Sequence, residues 1–222
     1  MIYTGKCNKD RQRFNKLLVS TLKLTEVSML LKDVKIAFAL TGSYCVFDKV
    51  IPQIEALVNE GADVYPIVSY AVAETDSRFG KAQDFIDQIS QITGKEVIKT
   101  IVDVEPLGVV YPIDIVVISP CTGNTLSKLC SGATDSPVLM AAKGLFRNHK
   151  PVVVGIATND GLGLSAQNLG RLLSTKNVYF IPFGQDNYVT KPDSLVAKFE
   201  LTVPTVVEAL KGEQLQPILE KF

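Results

Sequence analysis

The chain has 222 residues, of which 46% are hydrophobic, and its 23 basic and 23 acidic side chains cancel at neutral pH. This length and apolar content suit one large α/β domain. The balanced charge argues against nucleic acid or an anionic membrane surface as a partner, and no apolar run is long enough to span a bilayer.

Residues 1–28 are interpreted as an N-terminal extension. The stretch "GKCNKDRQRFNK" has a basic excess without a strand pattern, and "LLVSTLKLTEV" is too broken for a signal peptide. We expect this part to be disordered or to precede the native start, with a docking arm as the alternative. The remaining residues, 29–222, are predicted to form a single domain.

From residue 34 onward, short Val- and Ile-rich runs alternate with helical patterns. Strands are predicted at residues 34–40, 62–69, 114–119, 151–158 and 178–183. Helices are predicted at residues 46–61, 77–94, 124–132, 136–146, 164–175 and 202–212. This alternation predicts a three-layer α/β/α sandwich with a Rossmann-like (flavodoxin-like) parallel sheet. The polar stretches "NDGLG" (159–163) and "PFGQDNYVTKPDS" (182–194) are predicted loops, and the second is long enough to cover a site.

Ligands in such sheets bind beyond the carboxyl ends of the strands. After the first predicted strand, "LTGS" places Gly42 where backbone amides can approach a phosphate, and Ser43 can offer a hydroxyl or a helix cap. Ser69 follows the second strand. The alternative interpretation of "LTGS" is an ordinary turn with a serine cap.

The stretch "ISPCTGNT" (118–125) follows a buried strand and carries no lysine or arginine. Pro120 can fix the turn, Gly123 permits close backbone approach, Asn124 can donate and accept, and Thr125 can cap the next helix. Such groups suit a neutral heterocycle, and a plain helix cap is the alternative.

The cysteines of this chain are expected to be free thiols in a reducing cytosol. The four of them lack CxxC spacing, and with one histidine, His149, a metal site is disfavoured. A nucleophilic role for Cys121 is also disfavoured, because His149 precedes a different strand.

Taken together, "TGS", Ser69, "PCTGNT" and "GATD" (132–135) resemble the flavoprotein family of FMN-binding cysteine decarboxylases and flavin prenyltransferases. The resemblance covers residues 34 to about 182. It implies FMN as a cofactor and a homo-oligomer built from trimers, up to a dodecamer, with Asn124 and Asp135 near the contact. The apolar residues of the helices at 124–132 and 136–146 agree with such an interface. The cofactor site that it implies consists of Gly42, Ser43, Ser69, Pro120, Cys121, Thr122, Gly123, Asn124 and Thr125.

The chain departs from that family at two places. The catalytic histidine of the decarboxylases has no counterpart in "EPLGVVYPID" (105–114), and of their substrate clamp only Asn159 remains, in "IATNDGLG". Both departures argue against cysteine decarboxylation. The catalytic residue is not identified, and Glu105 and Asp160 stay open as a general base.

A second, more specific resemblance runs from about Leu31 to the C-terminus and is carried by "LTGSYCVFDKVIPQIEALVNEGADVYPIVSY" and "LLSTKNVYFIPFGQD". It is to one subunit of a two-subunit oxidoreductase of spore-forming bacteria. It implies a cytoplasmic protein of the mother cell, a partner subunit that binds NAD(P), and a small dicarboxylate substrate. Carboxylates need cationic donors, so Arg78 and Lys191 are the expected substrate-binding residues, together with Asn159. Solvated surface charges are the alternative for the two cations, and a binding module without chemistry is the alternative function.

Overall fold

Seven strands form one mixed sheet within residues 29–108 and 112–219, the ranges that the computed structural model describes. The predicted N-terminal extension, residues 1–28, lies outside these ranges. The strands are β1 (Lys35–Leu40), β2 (Asp63–Val68), β3 (Ile115–Cys121), β4 (Val152–Thr158), β5 (Val178–Phe180), β6 (Phe183–Gln185) and β7 (Leu195–Ala197).

The parallel part of the sheet has the order β2-β1-β3-β4-β5. β3 is buried at every position, and β4 is buried from Val152 to Ala157, because helices cover both faces of the sheet. This is the flavodoxin-like order, and the chain reverses direction across the sheet between β1 and β3. The predicted three-layer sandwich is therefore confirmed.

The sheet is mixed, because two short antiparallel strands extend the predicted parallel sheet at one edge. β7 pairs antiparallel with Ala157 and Thr158 at the end of β4, and β6 pairs antiparallel with β7. β5 ends at Phe180, which leaves this part of the β4 edge open to β7. The predicted loop 182–194 thus contains β6, and both added strands are too short to show a period-two pattern.

The six predicted helices are present with shifted ends, and two short helices were not predicted. The helices are α1 (Phe47–Asn59), α2 (Tyr70–Glu74), α3 (Ala82–Thr93), α4 (Ile101–Val104), α5 (Gly123–Ser131), α6 (Pro137–Arg147), α7 (Ala166–Leu173) and α8 (Thr202–Lys211). The two that were not predicted are α2 and α4. The predicted helix 77–94 begins only at Ala82, because Ser77–Gly80 forms a turn and Asp76 accepts a hydrogen bond from the Ala82 N–H. α3 and α5 end at Gly94 and Gly132, both in the left-handed conformation.

Helices α1 and α8 contact each other on one face of the sheet, and α5, α6 and α7 lie on the other. The apolar side chains of α5 and α6 are used within the chain: Leu126, Leu129, Leu139 and Leu145 are buried. Met140 and Phe146 of α6 are only partly buried, and a subunit contact on these two helices stays a prediction. Within the described ranges, no helix has the length and apolarity needed to cross a membrane.

Candidate functional site

A cleft of about 430 Å³ lies beyond the carboxyl ends of β1, β3 and β4. Its walls are the turns after these strands, the connection from β2 to α3 and the connection from β6 to β7. Seven of the residues expected to bind cofactor or substrate line it: Gly42, Ser43, Arg78, Thr122, Gly123, Asn159 and Lys191. The two stretches expected to bind a cofactor and the three residues expected to bind substrate therefore meet in one place.

The other residues of the stretch 118–125 lie away from the cleft. Pro120 and Cys121 are buried as the last residues of β3, and burial raises the pKa of the Cys121 thiol. Thr125 is buried on α5, whereas Asn124 is exposed and lines a neighbouring depression beside Ser165. A thiol with a raised pKa is a poor nucleophile, which agrees with the low expectation for Cys121.

Thr41 joins the ends of β1 and β3. Its hydroxyl donates a hydrogen bond to the Pro120 carbonyl (2.6 Å) and accepts one from the Thr122 N–H (3.0 Å). Thr41 is buried, so these bonds are shielded from water. The two turns that carry Gly42 and Gly123 are consequently held side by side.

Two predicted helix caps are corrected by the hydrogen bonds. The cap of α5 is Thr122, whose hydroxyl accepts the Thr125 N–H, and Thr125 sits inside the helix. Ser43 does not cap a helix with its side chain; its hydroxyl donates to the Ala157 carbonyl at 2.8 Å. Ser43 therefore connects the turn after β1 to the end of β4 across the cleft floor.

The turn after β4 is braced by the Asp160 carboxylate. It accepts hydrogen bonds from the hydroxyls of Thr158 and of Ser165, the latter at 3.0 Å. Gly123 lies against this cluster: a β-carbon there would come within 2.7 Å of Thr158 Oγ1 and 2.8 Å of Asp160 Oδ1. Packing within the protein therefore requires a glycine at position 123.

Neither general base left open by the sequence is free in the cleft. Both oxygens of Asp160 are engaged by neighbouring hydroxyls. Glu105 lies elsewhere, beside a small cavity that it shares with Lys143 and Arg147 of α6. The Asp160 carboxylate therefore braces the turn that carries Asn159, the preceding residue on the cleft wall.

Ser69 adjoins the turn after β1, because its N–H donates to the Leu40 carbonyl at 3.0 Å. Its hydroxyl oxygen is buried and has no hydrogen-bond partner within the described part of the chain. A β-carbon added to nearby Gly42 would meet no atom closer than 3.6 Å. A buried hydroxyl without a partner next to an open glycine fits the phosphate end of a ligand such as FMN.

The cleft contains charges of both signs. Arg78 and Lys191 enter from two different connections, and Asp160 and Asp186 also line the wall. The Arg78 guanidinium lies 4.9 Å from the centroid of the Phe79 ring. Two cations on separate walls are the arrangement that a small molecule with two carboxylates requires.

Several residues that line the cleft or support its walls were missed by sequence reasoning. Thr41, Thr158 and Ser165 act through contacts with residues far away in the chain, and a single sequence carries no signal for such pairs. Phe79 follows the predicted residue Arg78, and Asp186 lies within the predicted loop 182–194, so both were within reach of the sequence patterns.

Comparison with known proteins shows the family to which the chain belongs. The family model described as "Flavoprotein" matches residues 24–212. The B subunit of dipicolinate synthase from Bacillus subtilis (strain 168) is 55% identical over 189 residues, which cover 85% of this chain and 94% of that protein. The crystal structure of the corresponding B subunit from Bacillus halodurans superposes with a TM-score of 0.80 at 51% identity, covering 86% of this chain and 99% of that one.

A more distant structure shares the fold. Burkholderia xenovorans DmrB in complex with FMN, described as a cubic protein cage for redox transfer, has a TM-score of 0.59 at 20% identity and covers 81% of this chain and 96% of that chain. Because the family model matches most of the chain and one relative is more than half identical to it, the chain belongs to the flavoprotein family.

Proposed function

We propose that this chain is the B subunit of a dipicolinate synthase. With an NAD(P)-binding A subunit it would oxidise dihydrodipicolinate, or its hydroxylated precursor after loss of water, to dipicolinate during sporulation. The observation that carries the proposal is the 55% identity to a protein of that name over nearly its whole length. The place of action would be the cytoplasm of the mother cell.

The cleft offers what such a substrate needs. Arg78 and Lys191 would each bind one carboxylate of the substrate, and Asn159 would hydrogen-bond the ring nitrogen or a carboxylate oxygen. Oxidation removes a hydride and a proton from the dihydropyridine, and the hydride passes to NAD(P)⁺ on the A subunit. Aromatisation makes this step favourable, so the contribution of the chain is to fix the substrate in place.

FMN is proposed as a ligand of the same region. Gly42, Ser43 and Ser69 would hold its phosphate, and Thr122 and Gly123 would lie beside its ring. When bound, FMN would supply a two-electron redox centre. The Ser69 hydroxyl, buried and without a partner in the described chain, is the observation that favours this ligand.

The oligomer is also a proposal. We expect trimers, or dodecamers built from them, as the resemblance implies. Asp135, expected near the contact, lies on the surface and pairs with Lys128 of its own chain at 2.6 Å. The hydrogen bond from Lys128 holds the pKa of Asp135 below its ordinary value. Light scattering at micromolar concentration tests the proposal, because a mass of one 24.2 kDa chain would exclude it.

The synthase proposal is tested by reconstitution. Purified chain and A subunit are mixed with dihydrodipicolinate and NAD(P)⁺, and the formation of dipicolinate is followed by absorbance. We expect product with both subunits and much less with either alone. The variants Arg78→Met and Lys191→Met should each raise KM with little change in kcat, since they remove binding made equally in ground and transition states. Equal activity of the A subunit alone would contradict the proposal.

A second candidate is a flavin-binding scaffold, or a decarboxylase-like protein, that acts without the decarboxylase histidine. The unpartnered Ser69 hydroxyl favours flavin binding whichever chemistry follows. Flavin absorbance bands in the purified protein, combined with no effect on the A subunit, would support the scaffold. Steady decarboxylation of a C-terminal cysteine peptide would contradict the synthase proposal and return the chain to the cysteine decarboxylases.

A further inference from the structure

The chain segments that form the cleft also carry large apolar side chains that are exposed to water. Phe79 follows Arg78 of the cleft wall, and Leu162 and Leu164 follow Asn159 and Asp160. Tyr188 and Val189 lie between Asp186 and Lys191, which both line the cleft. The exposed fractions are 47% for Phe79, 52% for Leu162, 84% for Leu164, 71% for Tyr188 and 74% for Val189. We call these five residues the rim patch.

The backbone beneath the rim patch is braced. The Leu162 N–H donates to the Asp193 carbonyl at 3.0 Å, which joins the turn after β4 to the β6–β7 connection. Gly161 lies so close to Leu195 that a β-carbon would come within 2.7 Å of it. Within the connection, the Thr190 N–H donates to the side chain of Asn187 at 3.0 Å.

Exposed apolar side chains on braced segments around one cleft mark a contact surface. Single exposed apolar residues are common, but clusters of them around a polar cleft are typical of protein interfaces. Aromatic residues such as Phe79 and Tyr188 are enriched there. We therefore expect a partner protein to bind the rim patch and cover the mouth of the cleft.

We infer that the rim patch is the docking surface for the NAD(P)-binding A subunit. This inference rests on the proposed function. Hydride transfer requires the nicotinamide carbon to lie roughly 3–3.5 Å from the reacting carbon of the substrate. A substrate held between Arg78 and Lys191 is reached through the mouth of the cleft, so the nicotinamide site of the partner must face that mouth.

The apolar character of the rim patch also suits the reaction. Docking at the rim excludes water from the cleft and strengthens the contacts of Arg78 and Lys191 with the carboxylates. The interface and the active site are then continuous. Neither subunit alone would provide both the anion-binding cleft and the hydride acceptor, and so catalysis would require the complex.

The test places a charge on the rim patch and at a matched position elsewhere. Val189→Asp and Leu164→Asp alter the patch, while Val102→Asp on α4 alters a residue with the same exposed fraction as Val189, 74%, that does not line the cleft. All three side chains are exposed, so the melting temperatures should stay close to that of the wild type. Binding of the A subunit to the full-length chain is measured by calorimetry.

We expect the two rim variants to weaken binding by roughly tenfold or more, because an aspartate buried against an apolar surface loses its hydration. Val102→Asp should bind like the wild type. In the assay, the concentration of A subunit at half-maximal rate should rise by the same factor in the rim variants, and the rate at saturating A subunit should be unchanged.

Three outcomes would overturn the inference. If the rim variants bind the A subunit as tightly as Val102→Asp while the wild-type complex forms dipicolinate, the docking surface is wrong and the proposed function stands. If the wild type neither binds the A subunit nor forms product with it, the proposed function itself fails. If light scattering shows that the rim variants lose self-association while binding of the A subunit is unchanged, the patch joins two copies of this chain.

Discussion

The turns after β1 and β3 both carry a glycine on the cleft wall, but for different reasons. At Gly42 an added β-carbon would meet side chains at 3.6 Å and 3.7 Å, which is ordinary contact. At Gly123 it would meet Thr158, Asp160 and Ser165 at 2.7–3.1 Å. The first glycine leaves room for a ligand, and the second is fixed by packing of the protein against itself. A glycine next to a cleft is therefore not by itself evidence of a ligand site.

The largest effect on stability is expected for Gly123→Ala. The added methyl collides with the hydroxyls and carboxylate that brace the turn after β4, and overpacking of this kind costs about 1–3 kcal/mol of the free energy of unfolding. Alanine favours a helix over glycine, so any loss reflects the collision. Urea unfolding measures the change.

Gly42→Ala is the matched control for that variant. Its β-carbon has space, and the backbone of Gly42 is not in the left-handed region, so the free energy of unfolding should change by less than about 0.5 kcal/mol. Equal stability of the two variants would contradict the distinction between the two turns.

A smaller loss is expected for Asp160→Asn. The amide keeps one acceptor oxygen where the carboxylate offers two, and the hydroxyls of Thr158 and Ser165 both need one. We expect a loss of about 1 kcal/mol in the free energy of unfolding, measured by urea titration. Asp186→Asn is the control, because its carboxylate accepts the neighbouring Asn187 N–H and lines the same cleft.

The kinetics of Asp160→Asn distinguish a positioning role of this carboxylate from a role in proton transfer. If Asp160 positions Asn159, Asp160→Asn raises KM and leaves the acid limb of the pH–rate profile in place. If Asp160 were the general base, kcat would fall and that limb would disappear. Because a β-carbon added at Gly123 would also meet the Asp160 carboxylate, the effects of Gly123→Ala and Asp160→Asn should not add.

The parts of the fold that the sequence predicts are those with strong local patterns. β1, β3 and β4 are runs of mostly apolar, buried residues, and the helices between them have regular apolar spacing. β6 and β7 have three residues each and alternate too briefly to be recognised. Their place is decided by the end of β5, which exposes the edge of β4 to them.

For the candidate site, the sequence predicts where the residues lie but not what each of them does. Gly42, Ser43, Thr122 and Gly123 follow strands, and the rule for parallel sheets brings strand ends together. The role of each residue could not be predicted, because roles depend on partners distant in sequence. Ser43 bonds Ala157, 114 positions away, and Thr41 bonds Pro120, 79 positions away.

Gly42→Val should leave the fold intact and remove ligand binding. A branched side chain at this position occupies the open space beside Gly42 on the cleft wall, so phosphate or FMN can no longer reach the backbone amides of the turn. Binding is measured by fluorescence titration with FMN and by calorimetry with inorganic phosphate, and circular dichroism checks the fold. Unchanged binding of both ligands would show that Gly42 is not part of an anion site.

The last and smallest expected difference is in the chemical reactivity of two cysteines near these turns. Cys45 is exposed and lines the cleft, whereas Cys121 is buried and its thiol has a pKa raised by burial. At pH 8 an alkylating reagent should modify Cys45 within minutes and leave Cys121 unmodified until the protein unfolds, because the thiolate is the reactive form. Peptide mass spectrometry identifies the modified residue, and urea provides the control in which both react.

A bound phosphate or flavin should slow modification of Cys45 and leave the reactivity of Cys121 unchanged. Modification of Cys121 in the native protein at a rate similar to that of Cys45 would mean that the turn after β3 opens to the cleft, and the contrast between the two turns would then fail.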